Sequence, residues 1–135
     1  MPVAAVAEIL GVDRQQFYEW KKLGLLGSRE VRSRLTRADA VELAVLAELS
    51  RRIGGVKARI AYKQLRASVI VADPESIGEI VWVDQDRTAL LVNPADDIRK
   101  LIRHPRPVLL IEVGAEIQRV LEAFQRDLSG RQGQV

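Results

Sequence analysis

Arg14, Gln15, Gln16, Tyr18, Lys21 and Lys22 fall within nine residues of the chain, and Arg29, Arg32 and Arg34 follow within six. Guanidinium and amide side chains are the groups that read guanine and adenine edges through paired hydrogen bonds, while lysines serve phosphates. The chemistry such a stretch suits is contact with duplex DNA. Two blander readings compete with it. Gln15 and Gln16 also suit a solvated helix face, and three arginines also suit a basic loop. Residues for catalysis are scarce. The chain has no cysteine and one histidine, His104, which stands before Pro105 at an expected helix end and reads as structural. Asp84 with Asp86, and Asp96 with Asp97, each pair two carboxylates. The first pair straddles an expected turn, and the second sits in a helix's first turn, where negative charge suits the dipole. No glycine-rich phosphate loop is present. The expectation is a protein without catalytic residues, metal site or cofactor, and not an enzyme.

Charge supports the same division. The net charge of +3 over 135 residues hides 13 Lys and Arg against 7 Asp and Glu in residues 1–66, and 8 against 11 in residues 67–135. A basic half that meets a polyanion and an acidic half with another task fit this split. At 47% hydrophobic and 29% charged residues the chain is globular, and a chain this long buries about two-thirds of its unfolded surface without a disulfide or metal. No apolar run approaches the roughly 20 residues of a membrane helix. Residues 1–12 carry Glu8 and no Lys or Arg ahead of the apolar positions, unlike a signal peptide. A soluble, cytoplasmic protein with no membrane partner is expected.

The elements that must hold the basic residues are readable from periodicity. Val3, Val6, Ala7 and Leu10 form one face of a short helix that Gly11 ends. Asp13 caps a second helix to about Leu23, whose Phe17 and Trp20 turn inward. Gly27 to Leu35 reads as a turn or small hairpin. Thr36, with Asp39 as its capping-box partner, opens a helix to Ile53. Gly54-Gly55 breaks it, and another helix runs from Val56 to about Ala67. Arg51, Arg52, Lys57, Arg59, Lys63 and Arg66 on these helices extend the basic face or are simply solvated. After residue 67 the period shifts toward strands, at Val69–Val71, Glu79–Asp84 and Thr88–Val92 with a turn at Gln85-Asp86. A helix from Asn93 to His104, a strand at Val108–Val113 and a last helix at Gly114–Leu128 follow. The final stripe of Ile117, Val120, Leu121, Phe124 and Leu128 either packs on the local sheet or pairs with a second subunit.

Two short helices about a glycine turn match the helix-turn-helix plan. The run from Gly11 to Leu26, with its turn glycine, small N-cap, Tyr- and Trp-bearing second helix and Gly24-Leu25-Leu26 exit, resembles the DNA-binding region of MerR-type and excisionase-type winged helix-turn-helix proteins. The resemblance covers roughly residues 3–66. It implies that Arg14, Gln15, Gln16 and Tyr18 face the major groove and that Arg29, Arg32 and Arg34 lie on a wing. Two departures stand out. Gly27 replaces the proline that often follows the exit, and the wing lacks its usual Gly-Tyr or Gly-Phe pair. The long dimerisation helix of typical MerR activators is also missing, which argues against an effector-sensing activator.

The expected fold is therefore α+β, a winged helix-turn-helix head at residues 1–67 followed by a small α/β region at 68–128 for dimerisation or partner binding and a disordered tail at 129–135. The expected function is sequence-specific binding of double-stranded DNA by a repressor-like transcriptional regulator, acting as a homodimer. Lys21 and Lys22 are placed for phosphates. One alternative is an excisionase-like factor that bends DNA for recombination. Another is an antitoxin or other interaction protein whose acidic residues 68–128 capture a protein partner.

Overall fold

The computed structural model describes residues 3–22, 35–92 and 107–132. They form α1 (Val3–Leu10), α2 (Arg14–Lys22), α3 (Arg37–Ile53), α4 (Gly55–Val71), one 3₁₀ turn (Pro74–Ser76), β1 (Glu79–Val83), β2 (Thr88–Val92), β3 (Val108–Glu112) and α5 (Gly114–Gln132). The architecture is α+β, with helices packed on a three-stranded antiparallel sheet ordered β2-β1-β3. Of the region from Gly27 to Leu35, expected as a wing, residues 27–34 lie outside the described residues, as does the expected Asn93–His104 helix, and Leu35 is buried in the core.

The central element is α3. Thr36 and Asp39 close the capping box in both directions, each backbone N–H reaching the other's side chain at 3.1 Å. Residues Ala40 through Ala47 are all buried, the pattern of a helix surrounded by neighbours and not laid on a surface. Alanines at positions 40, 44 and 47 face helices with little bulk, which lets α4, bearing Ala58 and Ala61, approach closely. Gly54 makes the reversal between them. Its backbone sits at φ 83°, ψ 163°, a region open in practice only to glycine. Its N–H ends α3 on the Ser50 carbonyl, and its own carbonyl receives Ala58 N–H to start α4.

The β-branched run Val69–Val71, expected as a strand, is instead the last turn of α4. Leu65 and Val69 continue the buried stripe of Ala58, Ala61 and Tyr62 at helical spacing. Extending a helix already nucleated gains more than the weak local β preference offers. Residues 67 and 68, expected to separate two regions, thus lie inside one helix. A single apolar cluster joins Val6, Leu10, Phe17 and Trp20 to Trp82, Ile111, Ile117 and Val120.

β1 is antiparallel to both neighbours, with Trp82 opposite Ala89 and Leu109. Ile80, Trp82, Ala89 and Ile111 face the helices, while Val81, Val83 and Val92 form a second small cluster on the other side. The last helix, α5, buries Ile117, Val120 and Leu121 within the chain's own core. It packs chiefly along α3, with α1 at its side. The stripe shares the apolar cluster with the inner face of the sheet, at Ile80, Trp82 and Ile111, but its main neighbour is α3. The helix runs on to Gln132, so the expected tail at 129–135 is helical for its first four residues. Residues 133–135 lie outside the description.

Among the described residues, one charged residue is buried in this core. Glu42 on α3 is 7% exposed, with Arg66 Nε of α4 at 3.6 Å and the fully buried Tyr62 beside it. Burial holds the Glu42 carboxyl above its usual pKa of 4.5, against the opposing pull of Tyr62 and Arg66 and with a further push from Asp39. Burial also raises the Tyr62 phenol. A carboxyl raised on folding stabilises the fold most where it is protonated, so its contribution falls as pH climbs from about 4.5 through the raised value. Glu42→Gln, which copies the protonated shape, is expected to match the parent in acid and to be more stable at neutral pH. Denaturant curves for both chains across that range test this, and curves that stay parallel would refute it.

Candidate nucleic-acid interface

The turn between α1 and α2 is built from two local devices. Gly11 adopts φ 65°, its N–H bonds to the Glu8 carbonyl at 3.2 Å, and Val12 N–H bonds to the Ala7 carbonyl at 2.9 Å. This paired six-to-one and five-to-two closure is the Schellman ending, which needs a left-handed residue at the glycine position. Asp13 then caps α2, its Oδ1 accepting Gln15 N–H at 3.0 Å and its carbonyl accepting Phe17 N–H.

Two residues of α2 fix its orientation. Phe17 is fully buried and Trp20 is 4% exposed. At about 3.6 residues per turn, Arg14, Gln15, Tyr18 and Lys22 fall within about 100° of one another on the opposite side. All four are exposed. Tyr18 stands 48% open, its ring edge-on to Phe17 at 5.8 Å. Gln16 is half-buried on the flank beside Trp20, away from the centre of this face. The Lys21 side chain and Arg29, Arg32 and Arg34 lie outside what is described.

The end of α1 is held from distant parts of the chain. Arg51 of α3 donates to the Leu10 carbonyl, and Arg119 of α5 donates to the Ile9 carbonyl at 2.7 Å. Glu116 links the two guanidiniums, at 2.9 Å from Arg119 and 3.6 Å from Arg51, and Glu48 adds a 2.9 Å pair to Arg51. Positive groups on terminal carbonyls suit the negative end of the helix dipole. The partnership between Arg119 and Ile9 spans 110 positions, and no local pattern in the sequence announces it.

These pairings remove charge from the basic face that the sequence offered on α3 and α4. Arg51 is committed to α1, Lys57 meets Asp84 at 2.6 Å, and Arg66 meets Glu42. Arg59 donates to the Gly55 carbonyl of its own helix. Arg52 and Lys63 are exposed. Asp84 also accepts the Trp82 indole N–H at 3.1 Å, and its carboxyl lies below the ordinary aspartate pKa because of Lys57 first and Trp82 second. Among the described residues no group of three or more His, Asp or Glu is arranged to hold a metal ion. Asp96, Asp97 and His104 are outside them.

A cleft of about 390 Å³ opens between α3, the sheet and α5, lined by Glu48, Glu79, Glu112 and Glu116 with Arg52 and Leu110. Glu79 and Glu112 are directly opposed across β1 and β3, a like-charge pairing that costs stability. Sequence reasoning missed this cleft because its carboxylates come from elements far apart in the chain. No helix among the described residues is long and apolar enough to cross a membrane. No protein-family model matches the chain, and no curated protein matches it.

Proposed function

We propose that this chain binds double-stranded DNA in a sequence-specific way, as a repressor-like transcriptional regulator with a winged helix-turn-helix head and no enzymatic activity. The observation that carries the reading is the two-sided α2. Phe17 and Trp20 anchor one side, while Arg14, Gln15, Tyr18 and Lys22 stand together on the other, directly after a capped glycine turn. A helix held rigidly from behind and presenting guanidinium, amide, phenol and ammonium groups is suited to a major groove. Arg14 and Gln15, in the first turn, serve base edges. Tyr18 offers its hydroxyl to a phosphate, and Lys21 and Lys22 take phosphates further along. Arg29, Arg32 and Arg34 complete the interface as a wing. Gln16, set on the flank, reads bases only at the rim of the interface.

The roles separate in binding assays. Lys22→Ala, or Arg32→Ala with Arg34→Ala, weakens binding to every duplex and lowers the salt dependence, by about one unit of slope for each phosphate left without its cation. Arg14→Ala and Gln15→Ala cost about 1–3 kcal/mol on the preferred site and relax selectivity at one position each. Selection from a random duplex pool followed by titration of each variant tests the division. Equal losses on all sequences for all variants would remove the assignment of base readout to α2.

A further inference from the structure

The two outer strands of the sheet are treated differently. In the β1–β3 ladder, Val113 N–H bonds to the Gly78 carbonyl, so the residues of β3 that bond to β1 are Leu109 and Ile111. The backbone groups of Val108, Leu110 and Glu112 therefore point outward, and no described residue hydrogen-bonds to them. The same alternation makes Ala89 an outward residue of β2. There the edge is closed: Gln64 of α4 accepts Ala89 N–H at 2.9 Å and donates to the Arg87 carbonyl at 2.6 Å. One amide side chain occupies two groups that a further strand would use.

Among the described residues one edge is thus open and the other guarded, an unusual pairing, because single-chain proteins shield sheet edges with charge, proline or a covering element. The β3 run Val108-Leu109-Leu110-Ile111-Glu112 has no lysine and no proline, and Leu110 is 37% exposed. We infer that β3 pairs with β3 of a second copy of this chain, antiparallel about a twofold axis at Leu110. That register matches Leu110 with Leu110 of the second copy and Val108 with Glu112, and all outward donors and acceptors are satisfied in roughly six inter-chain hydrogen bonds. It extends the outer-face row of Leu90, Val81 and Leu110 with the same three residues of the second copy. It also keeps the two Glu112 carboxylates apart, whereas centring the axis on Glu112 would set like charges opposite each other. The result is one six-stranded sheet with β2 at both ends, each end closed by Gln64. This interface rests on backbone geometry and is independent of the DNA-binding reading.

The test is the mass of the full chain in solution across a dilution series, with variants at position 110. The parent is expected to sediment at twice 15.1 kDa. Leu110→Pro deletes an outward N–H that β1 does not use, a position where an edge strand tolerates proline, and is expected to sediment at the single-chain mass. Leu110→Lys does the same by charge and covers the case in which the proline variant fails to fold. The chain has no cysteine, so single introduced thiols report the register. Leu110→Cys brings two Cα atoms to about 5.5 Å and is expected to join in high yield with a short bismaleimide. Glu112→Cys holds its two Cα atoms about 14 Å apart and is expected to join poorly. A parent that sediments as a single chain at every concentration would overturn the inference. So would a dimer that survives Leu110→Lys, or one that cross-links better through position 112 than through 110.

Discussion

Phe17→Ala is expected to lower the stability of the fold by about 3–5 kcal/mol, the cost of emptying a fully buried aromatic site. Tyr18→Ala, one residue away, is expected to cost no more than about 1 kcal/mol, since it loses only an edge-on packing with Phe17 and a half-exposed surface. The contrast follows from the helix alone. Phe17 has no exposure, sits one turn before Trp20, and belongs to the main apolar cluster. Tyr18 lies a turn's fraction further round, level with Arg14 and Lys22. Urea denaturation of the two variants measures the difference directly. On DNA the order is expected to change in kind: Tyr18→Ala is expected to lose affinity while staying within about 1 kcal/mol of the parent's stability, and Phe17→Ala to lose affinity only as far as α2 leaves its seat. Equal destabilisation by the two substitutions would mean that α2 is rotated from the orientation described.

Trp82→Ala is expected to cost about 3–5 kcal/mol as well, a fall of about 10–20 °C in Tm for a chain of this size. Trp82 is 1% exposed in the middle of the central strand, opposite Ala89 and Leu109. Its indole N–H also holds Asp84, which in turn binds Lys57 of α4. Removing it empties the sheet's inner face and takes from Asp84 one of its two partners, leaving Lys57 and Gln64 to hold the β1–β2 turn to α4. Phe17 and Trp82 share one cluster, so both substitutions are expected to move one common transition. The chain has two tryptophans, Trp20 before residue 67 and Trp82 after it, which makes the point measurable. Variants keeping one indole each report the two sides by fluorescence, and in each variant the fluorescence transition should coincide with that variant's own far-ultraviolet circular dichroism transition. A Trp20 signal that melts separately, unmoved by Trp82→Ala, would show a head that folds alone.

Local signals in the sequence were reliable where a single backbone conformation or cap decides the structure. Gly11 could be read as the end of α1 and Asp13 as the cap of α2, and Thr36 with Asp39 marked the start of α3, because each device operates within a few residues. β1 and β2 were legible for the same reason. What escaped was set by distance. Val69–Val71 looks like a strand in isolation and is helical because α4 arrives already formed with a buried stripe to continue. The stripe of α5 looked surplus to a small sheet, but it covers α3 and α1, elements that precede it by more than sixty positions. Arg51 looked like a free cation and is spent on the end of α1. Arg119 and Gln64 carried no motif, yet one holds the α1–α2 turn and the other closes an edge of the sheet. Of the nine residues expected at the DNA interface, Arg14, Gln15, Tyr18 and Lys22 share one exposed face, Gln16 is displaced to its flank, and the remaining four depend on positions outside the described residues.

The most direct test of the DNA-binding reading is fluorescence anisotropy with a random duplex across a series of salt concentrations, for the parent and for the Arg14→Ala, Lys22→Ala double variant. The parent is expected to bind with log K falling against log salt at a slope of about −4 to −7, the signature of several phosphates neutralised. The double variant should bind more weakly with a shallower slope. Absence of binding at low salt, or binding whose slope the double variant leaves unchanged, would contradict a DNA-contacting face on α2.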